Sequence, residues 1–127
     1  MQSATTDDTT TANIELVHRA DAAVNARDLD GFMALMTDDT VWETTSPPDG
    51  ERHEGQAAVR AAGEGFFSGS PNASFETDEV VALGDRAFSR WTYHWVDGEG
   101  NAGHVRGVDV YRFRDGKIAE IRSYVKG

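Results

Sequence analysis

Hydrophobic and polar positions alternate along residues 104–125, and this period of two predicts a pair of β-strands. A turn at residues 114–117 joins them, with an Asp-Gly pair at its centre, the strongest short-range hairpin signal. One face of the first strand carries Asp109 in a row that is otherwise apolar or aromatic, with Val105, Gly107, Tyr111 and Phe113. If this face points into the core, Asp109 is a buried carboxyl with a raised pKa, suited to donating a hydrogen bond or a proton. A structural Asp bonded to a backbone N–H or to an arginine is the alternative interpretation.

Three segments before these strands have the period of a helix. Residues 13–26 predict an amphipathic helix, with one stripe formed by Ile14, Val17, Asp21 and Val24. Asp28 is a good N-cap for a short second helix. The inner face of that helix is predicted to carry Leu29, Phe32, Met33 and Met36. Residues 55–67 predict the third helix.

The remaining β-prone segments complete a sheet. Residues 40–45 predict a strand with Trp42 and Glu43 on opposite faces, and residues 73–83 and 86–97 predict two long strands. The two long strands at 73–83 and 86–97 and the terminal hairpin at 104–125 are predicted to form an antiparallel meander. The element order predicts an α+β domain in which three N-terminal helices pack on a curved, mainly antiparallel sheet and enclose a conical pocket. Residues 1–12 are polar and Thr-rich, so we predict a disordered tail before a single domain at 13–127.

Charge and composition exclude several functions. The 127 residues carry 12 basic and 22 acidic side chains, a formal charge of −10, which argues against nucleic acid or an anionic membrane as partner. The absence of cysteine excludes thiolate chemistry and Cys-based zinc sites, and the four histidines lack metal-ligand spacing, so no metal is expected. Neither a signal peptide nor a membrane-spanning segment is predicted, which makes a cytoplasmic location the expectation.

Three sequence segments resemble the nuclear-transport-factor-2-like superfamily. They are residues 38–43 (DDTVWE), 54–60 (EGQAAVR) and 107–118 (GVDVYRFRDGKI), and within the superfamily they are most similar to the SnoaL-like polyketide cyclases and the ketosteroid isomerases. The resemblance covers nearly everything after Asn13. It implies a cone-shaped domain, a small-molecule pocket, no cofactor and a homodimer, while members of the superfamily differ widely in function.

The resemblance to the isomerases implies roles for particular residues. Asp109 falls where that family keeps a protonated Asp that stabilises an oxyanion, and Glu43 falls where it keeps its general base. The second oxyanion donor of the family, a tyrosine, is replaced here by Ala20. His94 is the candidate replacement, as donor or proton shuttle, and a pocket-wall histidine bonded to Asp109 or Glu43 is the equal alternative.

The same resemblance implies which sheet face lines the pocket. Arg90, Thr92 and His94 are expected to face it, together with Ser123 of the last strand. The full set of predicted substrate-binding residues is Arg90, Thr92, Trp42, Tyr111, Phe113 and Ser123. The opposite, convex face would then carry Trp91, Tyr93, Trp95, Val108, Val110 and Tyr124, and so large an apolar surface implies a homodimer through the sheet.

Two hypotheses about function follow. The first is an enzyme in which Glu43 removes a proton next to a carbonyl of a hydrophobic substrate while protonated Asp109 stabilises the enolate, as in an isomerase or a cyclase. The second is a non-catalytic module that binds a hydrophobic small molecule, with Glu43 and Asp109 hydrogen-bonded to its polar end.

Overall fold

The chain has the predicted α+β fold, seen in a computed structural model that describes residues 2–126, with side chains from residue 8 onward. Met1 and Gly127 lie outside the described residues. The elements, in chain order, are α1 Gln2–Asn25, α2 Leu29–Met33, β1 Met36–Glu43, β2 Arg52–Glu54, α3 Gln56–Gly69, β3 Ala73–Leu83, β4 Arg86–Val96, β5 Ala102–Arg114 and β6 Lys117–Val125.

The strands form a single sheet in the order β2-β1-β6-β5-β4-β3. Neighbouring strands are antiparallel except β1 and β6, which run parallel. Helix α1 packs on β3 and β4, and α3 packs on β1 and β2, so the helices cover one face, which we call the concave face. The core between the layers contains the fully buried side chains of Val17, Met36, Val59 and Ile118. The predicted fold class is therefore confirmed.

Helix α1 begins earlier than its hydrophobic pattern predicts. Its backbone is helical from Gln2, through the segment for which we predicted a disordered tail. The apolar stripe that packs on the sheet begins only near Asn13, whose buried side-chain amide donates to the backbone oxygen of Gly84 at 2.9 Å. Hydrophobic periodicity detects the packed part of a helix, and the preceding polar turns carry no such signal. The division into a tail at 1–12 and a domain at 13–127 stays a prediction.

The second helix is capped as predicted, but it is shorter. The Asp28 carboxylate accepts a hydrogen bond from the backbone N–H of Gly31 at 2.9 Å, and α2 ends at Met33. Met36 was predicted on the inner face of this helix and instead begins β1, where it pairs with Ile118. The backbone N–H of Ile118 donates to the oxygen of Leu35, so pairing with β6 ends the helix there.

The terminal hairpin is confirmed. Asp115 and Gly116 have φ angles of 54° and 75°, the positive values that a two-residue turn between twisted strands requires. The register places Asp109 directly opposite Ser123 on β6 and opposite Ser89 on β4. Since opposite residues of an antiparallel pair lie on the same face, this register decides which side chains accompany Asp109.

Candidate active site

A cavity of about 600 Å³ lies between the helices and the concave face of the sheet. Most of the side chains around it are apolar, including the aromatic rings of Phe66, Phe75, Trp91 and Tyr93. These rings contact one another at centroid distances of 4.8 to 6.0 Å. The described side chains that line the cavity and can carry a charge near neutrality are Asp21, Glu51, His53 and Asp109.

Asp109 reaches this cavity from the middle of β5. Part of its surface is accessible, but its Oδ1 atom is buried without a hydrogen-bond partner among the described residues. Burial raises the pKa of Asp109 from 3.8 to about 7; the nearby donor groups of Ser123 and Trp91 oppose the rise, and the charge of Asp21 adds to it. The buried carboxyl and raised pKa predicted from the alternating pattern are therefore found. Among the described residues, Asp109 has neither the backbone N–H bond nor the arginine partner of the alternative interpretation.

Asp21 is a second carboxyl in the same cavity, and it was not among the predicted site residues. It extends from α1, and its Oδ2 atom accepts a hydrogen bond from the hydroxyl of Thr77 on β3. Burial raises the pKa of Asp21, while the hydrogen bond from Thr77 and the charge of His18 lower it. The signal that could have found it was its position as the one charge in the apolar stripe of α1.

Trp91 lies beside Asp109 on the concave face, and its indole Nε1 is also buried without a partner among the described residues. The ring fits because Gly107 is directly opposite on β5. A Cβ atom at Gly107 would stand 2.4 Å from Cη2 of Trp91 and 2.4 Å from the backbone oxygen of Tyr124. Glycine at this position therefore makes the space that the indole occupies.

Trp42 and Ser123 form the wall of the cavity on the other side of Asp109. The indole Nε1 of Trp42 donates to Oγ of Ser123 at 3.3 Å, and the Trp42 ring lies 6.1 Å from that of His53. His53 lies in β2, lines the cavity and is about one quarter exposed.

Glu43 does not join Asp109 in the cavity. It follows Trp42 on β1 and therefore points to the opposite face. There its carboxylate pairs with Arg52 at 2.9 Å and with Arg122 at 3.7 Å. Glu43 and Asp109, which the resemblance implied to act in one pocket, therefore lie on opposite faces of the sheet. Asp21 is the carboxyl with a raised pKa that lines the cavity with Asp109.

The face expected for β4 is reversed. Arg90, Thr92 and His94 were expected in the pocket, but they lie on the outer face, where His94 contacts Glu76 at 2.9 Å and Thr92 donates to Asp78 at 2.8 Å. The reason is the register, which puts the odd-numbered residues of β4 beside Asp109. Trp91 and Tyr93, expected on the convex face, therefore line the cavity.

Of the four other residues predicted to bind substrate, three line the cavity and one belongs to the hydrophobic core. Trp42, Tyr111 and Ser123 line the cavity. Phe113, 5% exposed, belongs to the hydrophobic core and stacks on Tyr111 with ring centroids 5.9 Å apart. Burial and the charges of Asp109 and Asp21 raise the pKa of Tyr111 well above 10.0, so its phenol stays protonated near neutrality. The predicted binding roles stay predictions.

A comparison with known families agrees with this architecture. The family description "SnoaL-like domain" matches residues 17–121, which include Asp21, Asp109 and the whole of the sheet as far as Ile121. The chain belongs to the SnoaL-like family. Family membership accounts for the fold and for the cavity, and it leaves the reaction open because the family hosts several functions.

Solved structures similar to this SnoaL-like chain share the fold along almost its whole length. An NTF2-like protein of unknown function from Mesorhizobium loti is 34% identical, with 93% of each chain covered and a TM-score of 0.78. A candidate polyketide cyclase from Xanthomonas campestris pv. campestris is 20% identical, with 93% of each chain covered and a TM-score of 0.75. A candidate ketosteroid isomerase from Kribbella flavida is 19% identical over 93% of this chain and 80% of its own, with a TM-score of 0.77. The resemblance stated from the sequence is therefore confirmed at the level of the family and fold.

Two further observations concern metals and membranes. Within residues 2–126, no three His, Asp or Glu side chains are grouped so that they could hold a metal ion. Among the helices described, none combines the length and apolar character needed to cross a bilayer.

Proposed function

We propose that this SnoaL-like chain is an enzyme that moves a proton next to a carbonyl group of a hydrophobic small molecule, with Asp21 as the base and Asp109 as the acid. The observation that carries the proposal is that two carboxyls with raised pKa values share one largely apolar cavity. A pair of carboxyls held in environments that separate their pKa values is a recurrent arrangement for acid and base work.

The assignment of the two roles follows from their electrostatic coupling. The negative charge of Asp21 raises the pKa of Asp109. A hydrogen bond from Thr77 and the charge of His18 favour the ionised form of Asp21, whereas burial raises the pKa of Asp109 to about 7, so we assign the first ionisation to Asp21. With a pKa of about 7, Asp109 still holds its proton in a large fraction of molecules at neutrality. Asp21 is then a carboxylate that accepts a proton, and Asp109 is an acid that donates a hydrogen bond.

In the reaction, the carboxylate of Asp21 takes a proton from the carbon next to the carbonyl, and the electrons of that C–H bond form an enolate. The O–H of Asp109 donates to the enolate oxygen and stabilises the charge that develops there. In an isomerisation the protonated Asp21 returns its proton to another carbon. In a cyclisation the enolate carbon attacks a second carbonyl of the same molecule, the electrons of that C=O bond move to its oxygen, and Asp21 returns its proton to the alkoxide that forms. The surrounding aromatic rings exclude water, which strengthens both interactions.

A binding module is the second candidate, because the apolar lining of the cavity suits a ligand whether or not chemistry follows. In that case the protonated Asp109 and the ionised Asp21 would hydrogen-bond the polar end of the ligand.

Hydrogen–deuterium exchange at carbon separates the two candidates. The probes are 2-tetralone and 1-indanone, two fused-ring ketones with exchangeable hydrogens next to the carbonyl, incubated with the protein in D₂O and followed by NMR. We expect exchange above the buffer rate, a loss of about 10²–10⁴-fold in Asp21→Asn, and a loss of about 10²–10³-fold in Asp109→Leu, which removes the donor and keeps the volume.

The matched control is Glu43→Gln, since Glu43 lies outside the cavity and its replacement should leave exchange unchanged. Ketone binding is measured in parallel by quenching of tryptophan fluorescence. Binding without any exchange above the buffer rate would support the binding module and reject the enzyme. Equal loss of exchange in Glu43→Gln would reject the assignment of Asp21 as the base.

A further inference from the structure

We propose that Trp91 is a positioning residue whose indole N–H points at Oδ1 of Asp109 and thereby places the acid proton on Oδ2, the oxygen that faces the cavity. The inference deepens the acid role proposed for Asp109 and rests on that proposal for its catalytic consequence. It assigns different duties to the two oxygens of one carboxyl.

The sheet register brings the two side chains together. Trp91 and Asp109 lie on the same face of adjacent strands, since Trp91 is opposite Gly107 and Asp109 is two residues further along β5. Diagonal neighbours of this kind are about 7–8 Å apart at their backbones, within reach of an aromatic side chain. The indole extends across Gly107, with Cζ2 and Cη2 at 2.5 and 2.4 Å from where a Cβ would stand.

The hydrogen-bonding state of the two groups is complementary. Nε1 of Trp91 is a buried donor, Oδ1 of Asp109 is a buried acceptor, and neither has a partner that meets hydrogen-bond geometry within the described residues. The third such atom is Oγ of Ser89, which lies opposite Asp109 and can donate or accept. Leaving both unpaired would cost roughly 1–3 kcal/mol for each group, so a small rotation that joins them is favoured. In agreement with this closeness, the Ser123 hydroxyl and, to a smaller extent, the Trp91 indole lower the pKa of Asp109 against the rise caused by burial.

The two oxygens of Asp109 differ in access. Oδ1 is sealed from the cavity, whereas Asp109 keeps some accessible surface and lines that cavity, so Oδ2 is the oxygen open to a ligand. A proton on Oδ1 could not reach a substrate and would meet the Trp91 N–H, another donor. A proton on Oδ2 points to the substrate and leaves Oδ1 as the acceptor for Trp91.

Several other titratable groups surround Asp109, and the test has to separate their effects. Those that line the cavity are Asp21 from α1, Glu51 just before β2, His53 within β2, Tyr93 from β4 and Tyr111 from β5. His53 is the chief confounder, because imidazole is a side-chain type that changes charge near neutrality.

The decisive measurement needs no change to Trp91. The indole N–H signals of the wild-type protein are followed by ¹H–¹⁵N NMR between pH 5 and 9, beside the carboxyl-carbon signal of Asp109. We expect the Trp91 N–H signal to move with the same midpoint as Asp109, to keep moving in His53→Gln, and to stop moving in Asp109→Asn. A Trp91 signal that stays still while Asp109 titrates, or that moves equally in Asp109→Asn, would overturn the inference.

A variant provides a second readout. In Trp91→Phe the donor is lost, so the titration midpoint of Asp109 should rise, whereas Trp95→Phe, on the same strand and outside the cavity lining, should leave it unchanged. A midpoint in Trp91→Phe that is unchanged or lower would contradict the proposal.

The outcome is separable from that of the proposed function. If ketone exchange is absent but the Trp91 and Asp109 signals titrate together, the positioning of the carboxyl stands and the enzymatic proposal fails. If ketone exchange depends on Asp109 but the Trp91 N–H signal does not change as Asp109 titrates, the enzyme proposal stands and the positioning role fails.

Discussion

Asp21 and Asp109 extend from a helix and from the middle of the sheet into one cavity, and the charge of Asp21 raises the pKa of Asp109. Removing that charge should therefore lower the pKa of Asp109. We expect the carboxyl-carbon titration of Asp109 in Asp21→Asn to have a lower midpoint than in the wild type, because only the burial contribution remains to raise it.

The matched control for this coupling is Thr77→Val, which keeps the Asp21 carboxyl and removes the hydrogen bond that it accepts. In Thr77→Val the pKa of Asp21 should rise, since this hydrogen bond lowers it. A midpoint for Asp109 that is the same in Asp21→Asn and in the wild type would show that the two carboxyls are not coupled.

The raised pKa of Asp109 also predicts how stability depends on pH. The folded protein holds a proton on Asp109 up to a pH of about 7, whereas the unfolded chain loses it near 3.8, so the folded state binds more protons between these values. The free energy of unfolding should therefore fall as pH rises from about 4 to about 7, by an upper bound of roughly 4 kcal/mol from this one group.

Asp109→Asn removes this penalty, so its free energy of unfolding relative to the wild type should increase between pH 5 and pH 8. Urea unfolding at both pH values measures the difference. Asp49→Asn is the control, because Asp49 is exposed and solvated in both states. If the free energies of unfolding of Asp109→Asn and the wild type differ by the same amount at both pH values, the result would contradict a raised pKa for Asp109.

The close packing around Gly107 leads to a separate prediction. A Cβ atom at this position would meet the Trp91 ring and the backbone of Tyr124 at 2.4 Å, and the backbone has little freedom to move. We expect Gly107→Ala to lower the free energy of unfolding by about 1–3 kcal/mol, as overpacking of a close-packed site does.

Gly65 is the matched control for Gly107. It lies exposed in α3, with no atom within 4 Å of where a Cβ would stand, so Gly65→Ala should raise stability by up to about 1 kcal/mol through helix propensity. Thermal unfolding of both variants measures these effects. Equal stability of Gly107→Ala and the wild type would show that the indole of Trp91 is not fixed against this strand.

The parts of the structure that could be predicted from the sequence are those set by local chemistry. Asp115 and Gly116 define the terminal hairpin by themselves, and the alternation around Asp109 places that residue among apolar neighbours without further information. The cap formed by Asp28 is equally local, because its partner is three residues away.

The errors arise where a side chain's environment depends on distant pairing. On β4, large apolar residues occur on both faces, including Phe88 and Trp91, so the pattern cannot choose the inward face and only the register with β5 decides it. The same ambiguity affects β1, where Val41 and Trp42 are both apolar and the register with β6 shifts between Met36 and Val41. The environment of Asp21 depends on how α1 packs on β3, which no local pattern shows.

The outer face of the sheet supports a last prediction, which is a homodimer through that face. Of the residues expected there, Val108, Val110 and Tyr124 lie on it, and Val110 is directly opposite Phe88 while Val108 is opposite Tyr124. Phe88 and Tyr124 are 46% and 55% exposed. These apolar residues come from three neighbouring strands, with Arg90 opposite Val108 and Arg122 opposite Val110 at their margins. An exposed apolar patch rimmed by polar residues is typical of an interface.

We therefore expect the wild-type protein to sediment as a dimer and Phe88→Glu to sediment as a monomer, because a charge in a buried apolar contact is costly. His18→Glu is the control, since His18 is exposed on α1, away from this face, and should not change the mass. Sedimentation velocity at several concentrations measures the result. A monomeric wild type would reject the dimer, and a dimeric Phe88→Glu would place the contact on another surface.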